Sequence, residues 1–276
     1  MTRRLSYIDT IRAILITMVV LGLILNYANP GYDIIPYTLA QAFMNSFHMP
    51  AFFLLSGMLT DSEKWKKRSV GAYFLHKAKT LLIPYLFFEC LAILRFPHKI
   101  SWGVGGAVLL GLQFLMSTWE GHWRVLLFRG VLGFVFMLTG NLLKKPLTEF
   151  KWWKIICAFL LTAATSAIYL KFSLGNSFYD AVLRTPVLYL ISGVCGLYFV
   201  MGVARLIPWK WPTKIGENAL TIMGTHQLVL YTVPGNSSPL WVLGVTCLIA
   251  AVEAVLIVVI NRFYPYLVGK SRKENV

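Results

Sequence analysis

The sequence predicts an all-α, polytopic integral membrane protein, a helical bundle of about eight transmembrane helices within a range of eight to ten. Its residues are 57% hydrophobic and 13% charged, and the mean hydropathy is +0.66. Apolar runs recur from residue 11 to residue 267, and the longest polar stretch, Thr60–Lys79, is too short to bury a core of its own. We therefore expect residues 1–276 to form a single membrane domain with the lipid bilayer as a partner.

The predicted helices follow from apolar runs of spanning length, about 20 residues each. The segment Trp102–Met116 is shorter and carries four glycines, so we expect it to be re-entrant or to lie on the membrane surface. A crossing there would give about nine spans and would place two large basic clusters outside, which the positive-inside rule disfavours. The predicted spans are Ile8–Ala28, Leu39–Leu59, Thr80–Leu94, Trp123–Leu143, Trp153–Phe172, Val182–Ala204, Ala219–Val233 and Leu240–Ile260.

The net charge of +15 is spread over short basic clusters between the apolar runs. This distribution is typical of cytoplasmic loops and argues against a nucleic-acid partner. With eight spans, both termini and the segments Lys64–Lys79, Lys144–Lys154 and Arg205–Lys214 are predicted to be cytoplasmic.

The first predicted helix carries polar residues that a lipid environment disfavours. On an ideal helix of about 100° per residue, Arg12 and Leu23 fall on one stripe, with Asn26 close beside it. Such residues usually face a bundle interior or a watery cavity. An alternative for Arg12 is a structural ion pair with Asp9, one turn earlier.

The second predicted helix has a matching set. Asn45 and Ser56 share one face, and His48 lies about 60° away. Together with the first helix they predict a polar seam. The alternative is that His48 is hydrogen-bonded to Asn26 or Asn45, and that Asn45 and Ser56 only hold helices together.

Other intramembrane polar residues lie further along the chain. Glu89 and Arg129 are candidates for substrate contact or for a buried pair between the third and fourth helices. His226 is a site candidate whose alternative role is at a cap or an interface, and Glu253 is expected to partner a cation.

Several motifs resemble those of membrane acyltransferase family 3, the sugar O-acetylase group, with its fucose-acetylase-like branch the nearest. The resemblance rests on Asp9-x-x-Arg12, on the run Phe47–Gly57, on Lys77-Ala-Lys79 before Pro84, and on Ile215–His226 with its Gly-Glu-Asn sequence. It implies a membrane O-acyltransferase that transfers an acyl group, usually acetyl from acetyl-CoA, to a sugar hydroxyl of the cell envelope or of an exopolysaccharide. It also implies location in the bacterial inner membrane, and no metal is expected.

The resemblance also assigns roles. Acyl transfer needs a base for the hydroxyl proton, a group that stabilises the oxyanion, and cations for the CoA phosphates. The family's presumed catalytic histidine falls at Leu23, which cannot accept a proton, so we expect impaired activity and leave His48 as the other catalytic candidate. The remaining candidates are Arg12, Lys77 and Lys79 for acyl-CoA, and Arg12, Asn26, Asn45, Ser56, Glu89, Arg129 and His226 for the substrate.

Two other functions fit the sequence. One is a catalytically inactive homologue that still binds acyl-CoA or a glycan. The other is a small transporter whose intramembrane polar residues line a path. A transporter has no need of acyl-CoA, so acyl-CoA binding separates it from the first two.

Overall fold

The computed structural model describes residues 6–60, 122–172, 184–207 and 211–264. Every element within these residues is a helix, which confirms the all-α class for them. The predicted helix Thr80–Leu94 and the segment Trp102–Met116 lie outside the described residues. The site candidates Glu89, Lys77 and Lys79 lie outside them too.

The helices agree with most of the predicted spans and differ at their ends. The second begins earlier than predicted because Pro36 occupies its first turn, where a proline needs no amide hydrogen-bond partner. Two short helices, Lys144–Thr148 and Trp211–Glu217, were not predicted. The elements are α1 Ser6–Ala28, α2 Ile35–Met58, α3 His122–Leu142, α4 Lys144–Thr148, α5 Trp152–Lys171, α6 Pro186–Leu206, α7 Trp211–Glu217, α8 Ala219–Leu230 and α9 Pro239–Phe263.

Four of these helices are long and apolar enough to cross a membrane: α1, α5, α6 and α9. Their number refers to the described residues, so the predicted total of about eight stays a prediction. Helix α2 has 24 residues but does not join the four, because Gln41, Asn45 and His48 lower its hydropathy. By mean hydropathy, α2 is more polar than α1, α5 and α6, against which it packs.

The described residues fall into two compact units. The first holds residues 6–60, 124–172, 184–207, 211–219 and 235–244. The second holds residues 122–123, 220–234 and 245–264.

Helix α2 lies at the centre of the first unit, where it packs against α1, α5 and α6. The motif residues Phe47 and Pro50 press against Gly196 and Gly193 of α6, and a Cβ at Gly196 would overlap the Phe47 ring. Close helix contact of this kind requires small residues at the interface. The structure therefore gives part of the Phe47–Gly57 motif a packing role.

The C-terminal end of α2 packs against α3 with equal closeness. A Cβ at Gly57 would overlap the Met137 carbonyl, and a Cβ at Gly140 would overlap the Leu54 carbonyl. The Asn141 side-chain amide then donates to the Gly57 carbonyl at 3.3 Å, at the end of α2. The Gly57 carbonyl also accepts from the Thr60 amide at 3.1 Å, so the Asn141 bond gives this helix end a second partner, from α3.

Three buried serines join α2, α5 and α6. The Oγ of Ser166 and the Oγ of Ser192 lie 3.0 and 3.1 Å from Ser46 Oγ. All three side chains are at most 5% exposed. Hydrogen bonds between these hydroxyls therefore hold α2 against both α5 and α6 near Ser46.

Candidate functional site

Two contacts fix how α1 and α2 face each other. A Cβ on Gly22 would lie 3.5 Å from Asn45 Oδ1, and the Asn29 side-chain amide donates to Thr38 Oγ1 at 3.2 Å. The helices are therefore antiparallel, and Asn26, one turn along from Gly22, lies at the level of Gln41. The structure thus brings Asn26 and Asn45 to the facing sides of α1 and α2, as the predicted seam requires.

The turn between α1 and α2 is held by side-chain hydrogen bonds. Asn29, which is 3% exposed, accepts from the Ile34 amide at 3.2 Å. The Thr38 hydroxyl donates to the Tyr32 carbonyl at 2.9 Å, and Tyr32 itself has a φ of 58°. This anchored turn lies beside the side chains of Asn26, Tyr37 and Gln41, which we call the polar layer.

That layer holds buried polar atoms for which the described part of the chain supplies no partner. Gln41 is 1% exposed, and neither its Oε1 nor its Nε2 has a hydrogen-bond partner among the described residues. The same is true of Asn26 Oδ1 and of the Tyr37 hydroxyl. An unsatisfied buried polar group costs about 1–3 kcal/mol, so this cluster is expensive for a purely structural purpose.

The sequence analysis missed Gln41 and Tyr37. The available signal was spacing, because Tyr37, Gln41 and Asn45 recur every four residues and so share a face of α2. The Phe47–Gly57 motif, from which other site residues of α2 were predicted, lies in the C-terminal part of the helix.

His48 is half-buried, and its Nδ1 lies 2.7 Å from the Met44 carbonyl oxygen. Because a carbonyl oxygen can only accept, the neutral ring carries its proton on Nδ1 and a lone pair on Nε2. The bond is made within α2 and not to Asn26 or Asn45, which were the predicted alternatives. A ring held in this tautomer can accept a proton at Nε2.

Leu23 is half-buried on α1. The register of the two helices places it at the level of Met44, about 6 Å along the axis from the level of His48. Leu23 and His48 therefore lie one helical turn apart along the helix axes.

Arg12 and Asp9 form the ion pair that the sequence left as an alternative. The Nη1–Oδ1 distance is 3.1 Å, and the Asp9 side chain is 2% exposed against 36% for Arg12. Among the described residues this contact uses one of the five guanidinium N–H donors. The partly exposed guanidinium can still bind an anion.

The late glycine motif meets this first motif. A Cβ on Gly216 of α7 would overlap the carbonyl oxygen of Asp9, so only glycine allows the approach. Two segments of the family resemblance, far apart in sequence, are therefore in contact in the first unit.

Ser56 does not join the polar layer. It is exposed, its hydroxyl donates to the Phe52 carbonyl at 2.9 Å, and it lies about 16 Å along α2 from Asn45. Arg129 belongs to α3, whose side chains are not described at that position.

In the second unit, His226 is 2% exposed and its Nδ1 lies 2.6 Å from the Ile222 carbonyl. Its Nε2 has no partner within the described part of the chain. The Thr225 hydroxyl lies 2.6 and 2.8 Å from the carboxylate oxygens of Glu253, so the described partner of Glu253 is a hydroxyl and not the expected cation.

An apolar cavity of about 360 Å³ lies among α4, α5 and α6 in the first unit. Its lining includes Leu147, Cys157 and Tyr198, with Lys154 as its charged residue. None of the predicted site residues lines it.

The comparisons with known proteins bear on the first part of the chain. The family model Acyl_transf_3, described as an acyltransferase domain, matches residues 5–123, which is less than half of the chain. No curated protein and no solved structure matches the chain. The matched segment contains both α1 and α2, and with them Arg12, Leu23 and His48.

These findings support a membrane acyltransferase in general terms. The match ends before α4, so it does not extend to Gly216 or His226. The sugar O-acetylase branch and the meaning of Leu23 remain predictions.

Proposed function

We propose that the chain is a membrane O-acyltransferase that moves an acyl group, in the simplest case acetyl, from acyl-CoA to a hydroxyl of a cell-envelope or exopolysaccharide sugar. The observation that carries this proposal is the match over residues 5–123, because it covers the two helices that form the polar layer. The protein would act in the bacterial inner membrane with both termini in the cytoplasm.

In this proposal Arg12 binds phosphate oxygens of the donor. Its guanidinium is partly exposed near the start of α1, about 16 Å along the axis from Leu23. Charge-assisted bonds from arginine suit phosphate geometry. Lys77 and Lys79 are proposed to add positive charge for the CoA phosphates.

The acceptor hydroxyl would lose its proton near the level of Leu23 and His48. A positioned general base contributes about 10²–10⁴-fold, and leucine contributes none of it. His48 Nε2 is the imidazole nitrogen of α2 that can accept a proton near this level. We therefore propose that this chain transfers acyl groups slowly.

The second candidate is an inactive homologue that binds acyl-CoA or a glycan, and Leu23 is the observation that favours it. A third candidate is the small transporter. It has no need of the acyl donor, so acetyl-CoA binding distinguishes it from the other two. The experiment is to titrate acetyl-CoA against the purified protein in nanodiscs by calorimetry, with free acetate and pantetheine as controls.

Saturable acetyl-CoA binding that CoA displaces and pantetheine does not displace is the expected result. Binding together with a measurable acetylated product supports the enzyme, and binding without product supports the inactive homologue. No binding of acetyl-CoA would contradict both and favour the transporter.

A further inference from the structure

We infer that Asn26, Tyr37 and Gln41 form a binding site for an uncharged, hydroxyl-rich group such as a sugar ring. The site itself follows from these side chains, and its identification as the place of the acyl acceptor rests on the proposed function.

Asn26 and Gln41 lie at one level of the first unit, and Tyr37 lies one helical turn from that level. The contacts Gly22–Asn45 and Asn29–Thr38 bracket this level on both sides, which leaves Asn26 facing Gln41. Tyr37 lies one turn before Gln41 on the same face of α2.

If these groups served only to join the helices, they would bond to one another, as Asn29 and Thr38 do. They do not: both polar atoms of the Gln41 amide, Asn26 Oδ1 and the Tyr37 hydroxyl have no partner among the described residues. A side chain that is 1% exposed also lacks bulk water as a substitute. The unmet bonds therefore point to a ligand.

The donors and acceptors fit hydroxyl groups. The Gln41 amide offers two N–H donors and a carbonyl acceptor, Asn26 Oδ1 accepts, and the Tyr37 hydroxyl does both. A sugar hydroxyl likewise donates and accepts, whereas a phosphate only accepts when ionised and an ammonium only donates.

Charge also argues for a neutral ligand. Helix α2 contains no charged residue, and Arg12 lies about 21 Å along α1 from Asn26. Asp33 is in the exposed turn. An ionic ligand would have no counter-charge among the side chains of this layer.

The test uses the full-length protein in nanodiscs, with methyl α-glucoside and methyl α-galactoside as probes. Binding is measured by saturation-transfer NMR titration, and acetyl-CoA binding is measured separately by calorimetry. The variant Gln41→Leu keeps a similar volume but removes both polar atoms. The matched control is Gln227→Leu, because Gln227 is exposed on α8.

We expect Gln41→Leu to weaken glycoside binding at least tenfold and to leave acetyl-CoA binding unchanged. Its ligand-free melting temperature should be unchanged or higher, since an unsatisfied amide is lost. Gln227→Leu should leave both affinities unchanged. If Gln41→Leu does not fold, Tyr37→Phe, which removes one hydroxyl, should still weaken glycoside binding several-fold.

Glycoside binding that survives in Gln41→Leu and Tyr37→Phe would overturn the inference, and so would a wild-type protein that binds neither glycoside. An unmodified protein that binds glycoside through Gln41 but does not bind acetyl-CoA would refute the proposed function. It would leave the glycoside site standing.

Discussion

Arg12 combines two roles in the same side chain, since it neutralises the buried Asp9 and keeps a partly exposed guanidinium. Arg12→Ala should weaken acetyl-CoA binding about tenfold or more, because charge-assisted hydrogen bonds to an anion contribute about 1.5–3 kcal/mol. Calorimetry on protein of equal monodisperse yield measures this change.

Arg262→Ala is the matched control, because Arg262 is exposed in the last turn of α9. Arg12→Lys keeps the charge without the planar fork and should show an intermediate affinity. Unchanged acetyl-CoA affinity in a well-folded Arg12→Ala protein would refute the phosphate role and leave the Asp9 pair as the full explanation.

At the residue scale, the sequence alone predicted a polar seam between the first two helices, with Asn26 on one and Asn45 on the other, because helical periodicity fixes which residues of a helix share a face. It did not indicate that Asn29 and Thr38 would bond or that the Gln41 amide would have no partner among the described residues. Those facts depend on the register between two helices, which no local pattern encodes. The same holds for His48, whose partner turned out to be a carbonyl of its own helix.

At the scale of elements, the contact of α7 with α1 depends on one glycine. Gly216→Ala should lower the melting temperature by several degrees, because its methyl group would meet the Asp9 backbone and overpacking costs about 1–3 kcal/mol. Thermal unfolding in detergent, followed by intrinsic fluorescence, measures the shift.

Gly244→Ala in α9 is the control, since a Cβ there has no described neighbour within 4 Å. Alanine is the better helix former by about 1 kcal/mol, so Gly244→Ala should be neutral or stabilising. Equal melting temperatures for the two variants would show that α7 can move away from α1 at little cost.

The long apolar helices were predictable at this scale, and the short ones were not. Apolar runs of about 20 residues define α1, α5, α6 and α9 because the bilayer selects for length. Helix α7 has seven residues and carries Pro212 and Gly216, so no periodic pattern in the sequence predicts it. Its function as a packing element is visible only in the contact with Asp9.

At the scale of the whole molecule, the basic clusters predict which side of the membrane each loop occupies. Cysteines introduced at positions 145 and 210 should resist an impermeant maleimide in intact cells, and cysteines at positions 33 and 236 should react. Permeabilised cells, in which all four positions should react, provide the control. Labelling of 145 or 210 from outside would overturn the topology with cytoplasmic termini.

We propose that the chain has the site of a membrane acyltransferase with Leu23 at the position of the general base. The most direct measurement is the rate of acetyl transfer from acetyl-CoA to a glycoside acceptor by Leu23→His beside the unmodified protein. We expect at least a tenfold increase, because an imidazole restores part of the roughly 10²–10⁴-fold effect of a general base. Leu23→Gln, polar but without a base, should give no increase.

His48→Ala in the Leu23→His background should reduce the restored rate again if the two side chains serve one reaction. We expect slow acetyl transfer by the unmodified chain, faster transfer by Leu23→His, and a slower rate again when His48→Ala is added. An unmodified chain that acetylates the acceptor as fast as Leu23→His would contradict this proposal, because the base would then lie elsewhere.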